Sequence, residues 1–266
     1  MRKERVDPFC LMLSIPDPHT PFQPRAPYDT MFFPENMEIP ESYFEQSTFE
    51  PFTRQQGNKP DEATLRQFKA WYHGAVKLID DNVGKLLACL EEKGMLDDTI
   101  VVFTSDHGEY MGEHGLMGKN TIYETAHRVP FLIRWPEKIT SGSVVDRVVA
   151  SVDFQKTLLG LVGLEPCGRE QGRDASGLLC GDDSPWEDVA YIHHPSYQWA
   201  GVFTSRYEYA VHRDGYSVLF DRNVDPHQTT NLARQDGGHP SEIQITEEAL
   251  SRHYQSTGSP VREWLG

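Results

Sequence analysis

Three short runs, Phe9–Ile15, Thr99–Ser105 and Val129–Trp135, are almost uninterruptedly apolar and end on turn residues. They constrain the fold more than any other feature of the chain. A strand with one wet face alternates apolar and polar residues, whereas a run apolar at successive positions buries both faces, as strands do in a parallel sheet covered by helices. Between the first and second runs the period becomes helical. From Asp61 to Lys93, the residues Leu65, Phe68, Tyr72, Ala75, Ile79, Val83, Leu86 and Leu90 recur at steps of three or four and form one stripe. Gly94 supplies the stop. Gly74 and Gly84 are costly inside a helix, so the sequence predicts close packing or a break there. Strand, long helix, strand, loop, strand predicts an α/β fold with a mostly parallel central sheet flanked by helices.

Residues Pro21–Pro60, rich in Pro, Phe, Tyr and Glu, read as a long loop over that sheet. A second helix is expected over Asp153–Val162, and Glu165–Pro185 reads as linker. From Trp186 the pattern changes to short strands at Val189–His193, Gly201–Ser205, Tyr207–His212 and Ser217–Asp221, with Arg213-Asp214-Gly215 as a hairpin turn. A terminal helix near Glu242–Tyr254 would close this part. The expected division is a large α/β domain over 1–185 and a small antiparallel subdomain over 186–266.

The chain has 266 residues, 25 Lys and Arg against 40 Asp and Glu, and a formal net charge of −15. That acidity argues against nucleic acid or an anionic membrane as a partner, because both attract excess basic charge. No stretch approaches the ~18 apolar residues of a membrane span. Arg2, Lys3, Glu4 and Arg5 ahead of Phe9–Ile15 outline a short signal peptide, but Pro16-Asp17-Pro18-His19 follows without a small-residue cleavage site. Taken with Met1 as a genuine start, this predicts a cytoplasmic protein. Cys10, Cys89, Cys167 and Cys180 have no CxxC or zinc spacing, although Cys167 and Cys180 are near enough in sequence for a small disulfide loop.

Asp106-His107-Gly108 follows directly on Ile100–Phe103, which sets the pair at the carboxyl end of a buried strand, where open α/β sheets build their sites. A carboxylate oxygen and an imidazole nitrogen side by side suit one metal ion. Gly108 then lets the chain turn away. A capping Asp beside a partly exposed His is the structural alternative for that tripeptide alone.

The surrounding residues are more specific. The run Thr104-Ser105-Asp106-His107-Gly108-Glu109-Tyr110-Met111-Gly112-Glu113-His114-Gly115-Leu116-Met117-Gly118-Lys119 resembles the signature of the sulfatase family, in the alkaline phosphatase superfamily. The likeness continues through Tyr123-Glu124 and Arg128 to Pro136. The resemblance implies that Asp106 and His107 are ligands of a single divalent ion, Ca²⁺ with Mn²⁺ also compatible, and that Lys119 contacts the sulfate or the bridging oxygen. A cation suits that place, because S–O cleavage leaves negative charge on both fragments. His114 is expected to be structural. Pro16-Asp17-Pro18-His19-Thr20-Pro21-Phe22 is similar to the family's PH-x-PF loop, which makes His19 the group that bonds the ester or helps expel the leaving group.

Asp80-Asp81-Asn82-Val83-Gly84 and Leu96-Asp97-Asp98-Thr99-Ile100 resemble the passage from helix to strand before the metal motif, with the aspartate pair assigned to helix surface or packing. Ser151-Val152-Asp153, Thr157-Leu158-Leu159 and Gln171-Gly172-Arg173 are similar to the stretch closing the large domain. Arg206-Tyr207-Glu208-Tyr209 and Asp225-Pro226-His227 through Asn231-Leu232 resemble an RxxKY-like strand followed by a DPxExxNL-like turn.

The family's nucleophile is a Cys or Ser in a C/S-x-P/S-x-R segment, oxidised to formylglycine, and none of the four cysteines fits it. The paired aspartates that complete the metal shell also lack a counterpart before Asp106. The resemblance therefore implies the carboxyl-terminal portion of a sulfatase, with formylglycine expected only in a segment outside these residues. The expected partner is a sulfate ester, small molecule or glycan. Self-association through an unpaired sheet edge is a further expectation. Three functions stay open: a sulfuric ester hydrolase inactive as this chain alone, a phosphonate or phosphate ester hydrolase on the same scaffold, and a non-catalytic remnant.

Overall fold

The computed structural model describes residues 7–44, 59–196, 198–234, 240–259, 261 and 263. They divide into two compact units, one drawn from Met1–Ile39 and Pro60–Leu96 and the other from Pro40–Lys59 and Asp97–Gly266.

The first unit is organised by helix α1 (Glu62–Glu92). Asp61 caps its start, with Oδ1 accepting the Thr64 N–H at 2.8 Å, and Gly94 follows its end at φ 65°. In the amino half of the helix Leu65 and Ala75 of the apolar stripe are buried, and Leu78, outside the stripe, is buried in place of Ile79. Phe22 packs on Phe68 and Tyr72 with ring centroids 5.5 and 6.1 Å away. The carboxyl half is more open, Leu86 being 41% exposed. The helix runs unbroken through both glycines. Gly74 is required for close approach, since a Cβ there would lie 2.1 Å from the Tyr28 carbonyl oxygen, whereas nothing surrounds Gly84. Asp80 and Asp81 do structural work, both pairing with Lys77, while the Tyr28 hydroxyl donates to Asp81 at 2.8 Å. The stretch after Pro21 is loop with single 3-10 turns at Tyr28–Thr30, Pro34–Asn36 and Glu41–Phe44; its residues 45–58 lie outside the described ones.

Phe9–Ile15 corrects an expectation. It forms no strand, and Phe9, Leu11 and Met12 are 53%, 69% and 88% exposed. An apolar run becomes a strand only with a partner to complete its hydrogen bonds, and none of the described residues pairs with this one.

In the second unit β1 (Val101–Thr104) and β2 (Phe131–Arg134) coincide with the other two runs. They pair antiparallel, Val102 opposite Ile133 and Phe103 opposite Leu132. Among the described residues no strands pair in parallel, so the expected mostly parallel central sheet is not found there. The reason lies in the connection. A parallel return needs a crossover packed on the same sheet, but residues 105–130, with the short helix α2 (Glu124–His127), pack elsewhere. Their Tyr110, Leu116, Ile122, Tyr123 and Ala126 join Trp199, Ala210, Val218 and Phe220 in one core. β2 leads to α3 (Phe154–Val162) and α4 (Ser176–Leu179), where Trp135, Ile139 and Leu161 are buried together.

The remaining strands are β3 (Val189–His194), β4 (Trp199–Thr204), β5 (Tyr207–His212) and β6 (Ser217–Asp221), an antiparallel sheet in chain order, followed by helix α5 (Pro240–Thr257). The turn at Arg213-Asp214-Gly215 is closed by the Gly215 N–H on the His212 carbonyl at 2.8 Å. One face of the sheet meets the 105–130 connection; the other carries Val202, Tyr209 and Leu219 against Leu250 and Tyr254 of α5. No helix among the described residues is long and apolar enough to cross a membrane. The four cysteines are unbridged and exposed, which removes the Cys167–Cys180 loop.

Candidate functional site

β1 ends at Thr104, and the chain turns at once through Asp106, His107 and Gly108. The Asp106 side chain is 87% exposed, with Oδ1 accepting the His107 N–H at 3.0 Å. His107 sets its Nδ1 2.8 Å from the Gly108 carbonyl oxygen. A carbonyl only accepts, so Nδ1 carries a proton. The ring's Nε2 lies 3.7 Å from Asp106 Oδ2. One carboxylate oxygen and one imidazole nitrogen therefore stand near each other, oriented by backbone contacts of the kind that orient ligands in metal sites. The Ser105 hydroxyl donates to the His107 carbonyl at 2.9 Å and stiffens the turn.

Gly108 joins this turn to α2. Its N–H donates to the Ala126 carbonyl at 2.8 Å, and a Cβ would fall 1.8 Å from the Thr125 carbonyl oxygen, a distance no side chain tolerates. From there the chain forms a loop that returns at Gly118, whose N–H donates to the Glu109 carboxylate and whose carbonyl accepts the Tyr110 N–H at 2.9 Å. Burial raises the Glu109 pKa, opposed by its bonds to the Gly118 and Met111 N–H groups and by the charges of Lys119 and His107. Glu109 thus stands in the electrostatic reach of both predicted site residues, and the loop closure it makes delivers half-buried Lys119 immediately after Gly118. The sequence reading passed over Glu109, although its position two residues beyond His107 marked it.

His114 is structural, as expected. It takes a left-handed φ of 53°, its N–H donates to the Ser42 hydroxyl at 3.1 Å, and its ring stacks on Tyr123 at 3.6 Å. His19 belongs to the other unit, exposed on its proline-rich loop with Nδ1 3.0 Å from the Thr20 carbonyl oxygen. Among the described residues no three or more His, Cys, Asp or Glu side chains gather as a metal site would. The donor pair fits a divalent ion in chemistry and falls short of one in number.

Two histidines around this loop, His114 buried and His127 half-buried, give a pH dependence. Burial lowers His114 and His127 to about 4, against an unfolded value of about 6.5. Each folded-state pKa is depressed, so the unfolded chain binds more protons below about pH 6.5; stability is full above that and falls until the folded value near 4 is passed. With both acting, the loss approaches about 2.7 kcal/mol per pH unit in the middle of that window. Urea unfolding at pH 7.5 and pH 5 is expected to show it, with His127→Gln reducing the slope by about half. Equal slopes in the two proteins would assign the acid sensitivity to other groups.

Comparison with known proteins bears on this arrangement. Residues 2–164 match the family model described as Sulfatase, and residues 112–254 match the one described as N-sulphoglucosamine sulphohydrolase, C-terminal. The N-acetylglucosamine-6-O-sulfatase of Bacteroides thetaiotaomicron is 30% identical over 181 residues, 63% of this chain and 32% of that protein. A solved complex with D-glucosamine-2-N,6-O-disulfate as its substrate superposes with a TM-score of 0.69 at 27% identity, over 75% of this chain and 43% of that one. The phosphonate monoester hydrolase of Silicibacter pomeroyi superposes with a TM-score of 0.78 at 27% identity, over 90% of this chain and 54% of that one. The chain spans a third to about a half of the length of these relatives.

Proposed function

This chain belongs to the sulfatase family, and from that premise we propose that it carries the carboxyl-terminal part of a sulfuric ester hydrolase acting on a sulfated small molecule or glycan. The observation that carries the reading is the Asp106–His107 turn at the end of β1, with Lys119 on the loop that closes beside it. When bound, a divalent ion would supply positive charge against the sulfuryl oxygens. Asp106 Oδ2 and His107 Nε2 are the atoms that would hold it. Lys119 offers an ammonium to the ester oxygens, neutralising charge that grows as the S–O bond breaks. The solved complex with a sulfated glucosamine and the likeness to an N-acetylglucosamine-6-O-sulfatase support an amino-sugar sulfate as substrate.

A phosphonate monoester is the second reading, supported by the 0.78 TM-score with the Silicibacter enzyme. The two are separated by kcat/KM on an aryl sulfate and on an aryl phosphonate monoester, using an upstream-extended form matured by a formylglycine-generating enzyme. A higher value on the phosphonate would reverse the assignment.

Two ligands leave an ion mostly hydrated, since Ca²⁺ draws on about 6–8 oxygens. Calorimetry on the 266-residue chain is therefore expected to give no better than about millimolar Ca²⁺ or Mn²⁺ affinity, abolished by Asp106→Ala. A submicromolar constant would show a more complete site. Self-association is part of the same reading: Phe103 and Leu132 sit opposite each other on β1 and β2, 36% and 64% exposed, on a ribbon apolar on both faces.

A further inference from the structure

Glu208 is fully buried on β5, on the sheet face that meets the 105–130 connection. Its Oε2 accepts a hydrogen bond from Gln228 Nε2, while its Oε1 is buried with no partner among the described residues. Gln228 is equally buried and takes a left-handed φ of 53°. It reaches onward: its Oε1 accepts the Glu124 N–H at 2.8 Å, at the first residue of α2. α2 in turn receives the Gly108 N–H on Ala126, next to His107. A line of directed hydrogen bonds thus runs from the carboxyl-terminal sheet to the turn that carries Asp106 and His107.

Gln228 occupies the glutamate place of the DPxExxNL-like turn. A glutamate at 228 would set two carboxylates in contact, which the amide avoids.

We propose that Glu208 is a positioning residue for the candidate site: through Gln228 it fixes the start of α2, and through α2 the Asp106–Gly108 turn. The link to catalysis rests on the function proposed above; the mechanical coupling does not. The linkage works while Glu208 is neutral. The groups facing it are Glu124, which repels a second negative charge; Arg222, already engaged by Glu124 and by the Thr204 carbonyl at 2.8 Å; and Tyr110, whose hydroxyl is bonded to Thr121. Burial, then the charge of Glu124, moves the Glu208 pKa well above the carboxylate range. Its folded value is raised, so its contribution is full below the unfolded value of about 4.3 and is lost as pH rises through the folded one. Ionisation would bury a charge with an orphaned oxygen beside Glu124, and separation from Gln228 and α2 would relieve it.

The test is hydrogen exchange at the Gly108 amide of the 266-residue chain between pH 6 and pH 9, as protection factors, with interior α1 amides of the other unit as reference. Wild-type protection at Gly108 is expected to fall by about tenfold or more over that range while α1 holds. Glu208→Gln keeps an acceptor for Gln228 and cannot ionise, so its protection should stay flat. Identical pH courses in the two proteins, or a wild-type loss shared equally by α1, would overturn the proposal. If Glu208→Gln does not fold, the double variant Glu208→Lys with Gln228→Glu, which restores a charge pair, decides on the same readout: a flat course supports the coupling and a wild-type course refutes it. None of these outcomes depends on turnover, so they stand apart from any failure of the hydrolase assignment.

Discussion

The 266-residue chain is expected to hydrolyse no aryl sulfate above background, and activity is expected only when a nucleophile-bearing segment is supplied. The argument is chemical. Sulfate monoesters are very slow to hydrolyse unaided, and enzymes of this type depend on an activated nucleophile held in line with the S–O bond. In the proposed reading Asp106 and His107 would hold an ion and Lys119 would neutralise charge, and none of them is a nucleophile; none of the four cysteines stands in a C/S-x-P/S-x-R segment. In the matured, extended form, Lys119→Ala should lower kcat by about 100- to 1,000-fold, the usual cost of removing one preorganised electrostatic group from the transition state. Glu109→Gln should cost less, because the amide still accepts from the Gly118 N–H and only the charge beside Lys119 is lost. Turnover by the short form at a rate comparable to the long one, sensitive to Lys119→Ala, would require a different nucleophile within these residues.

What the sequence made legible follows from which interactions are local. α1 was readable to within a residue at each end, because its cap, stripe and terminal glycine all lie within the helix or beside it. The four strands β3–β6 and their hairpin turn were readable for the same reason: each strand is bounded by turn chemistry two or three residues away. The direction of β1 against β2 was not, since a doubly apolar run announces burial on both faces and carries no information about which way its neighbour runs. Phe9–Ile15 shows the converse, a strand pattern without a strand, because pairing depends on residues elsewhere. In the site, Asp106, His107 and Lys119 were visible in one contiguous motif, whereas Glu208 and Gln228 were hidden; their roles arise from contacts across 20 and 104 positions of chain. Glu165–Pro185, read as linker, conceals one half of a side-chain anchor of the second unit.

That anchor is Asp153 with Arg173, and breaking it is expected to cost about 1.5–3 kcal/mol, the usual worth of hydrogen bonds to a charged group, since Asp153 is buried and Arg173 is partly exposed. Asp153 is 2% exposed. Its Oδ2 accepts Arg173 Nη2 at 2.9 Å and the Ala150 N–H at 3.0 Å; its Oδ1 accepts the Arg173 N–H at 2.7 Å. Arg173 continues outward, donating to the Glu187 and Val189 carbonyls at 2.6 and 3.0 Å, with its guanidinium 4.1 Å above the Trp186 ring. One side chain thus ties the start of α3, the 165–185 segment and the first residue of β3 together. Arg173→Ala leaves a carboxylate buried with two backbone donors and no countercharge; Asp153→Ala leaves the Ala150 and Arg173 N–H groups and the guanidinium unmatched. Arg173→Lys should recover little, because an ammonium replaces neither the planar fork nor the stacking on Trp186. The double variant Asp153→Ala with Arg173→Met removes both charges, and its loss should fall well short of the sum of the two single losses, the mark of direct coupling. Urea unfolding of the four proteins at pH 7.5 measures this; single losses below about 1 kcal/mol, additive in the double variant, would reduce the pair to the standing of an exposed surface bridge.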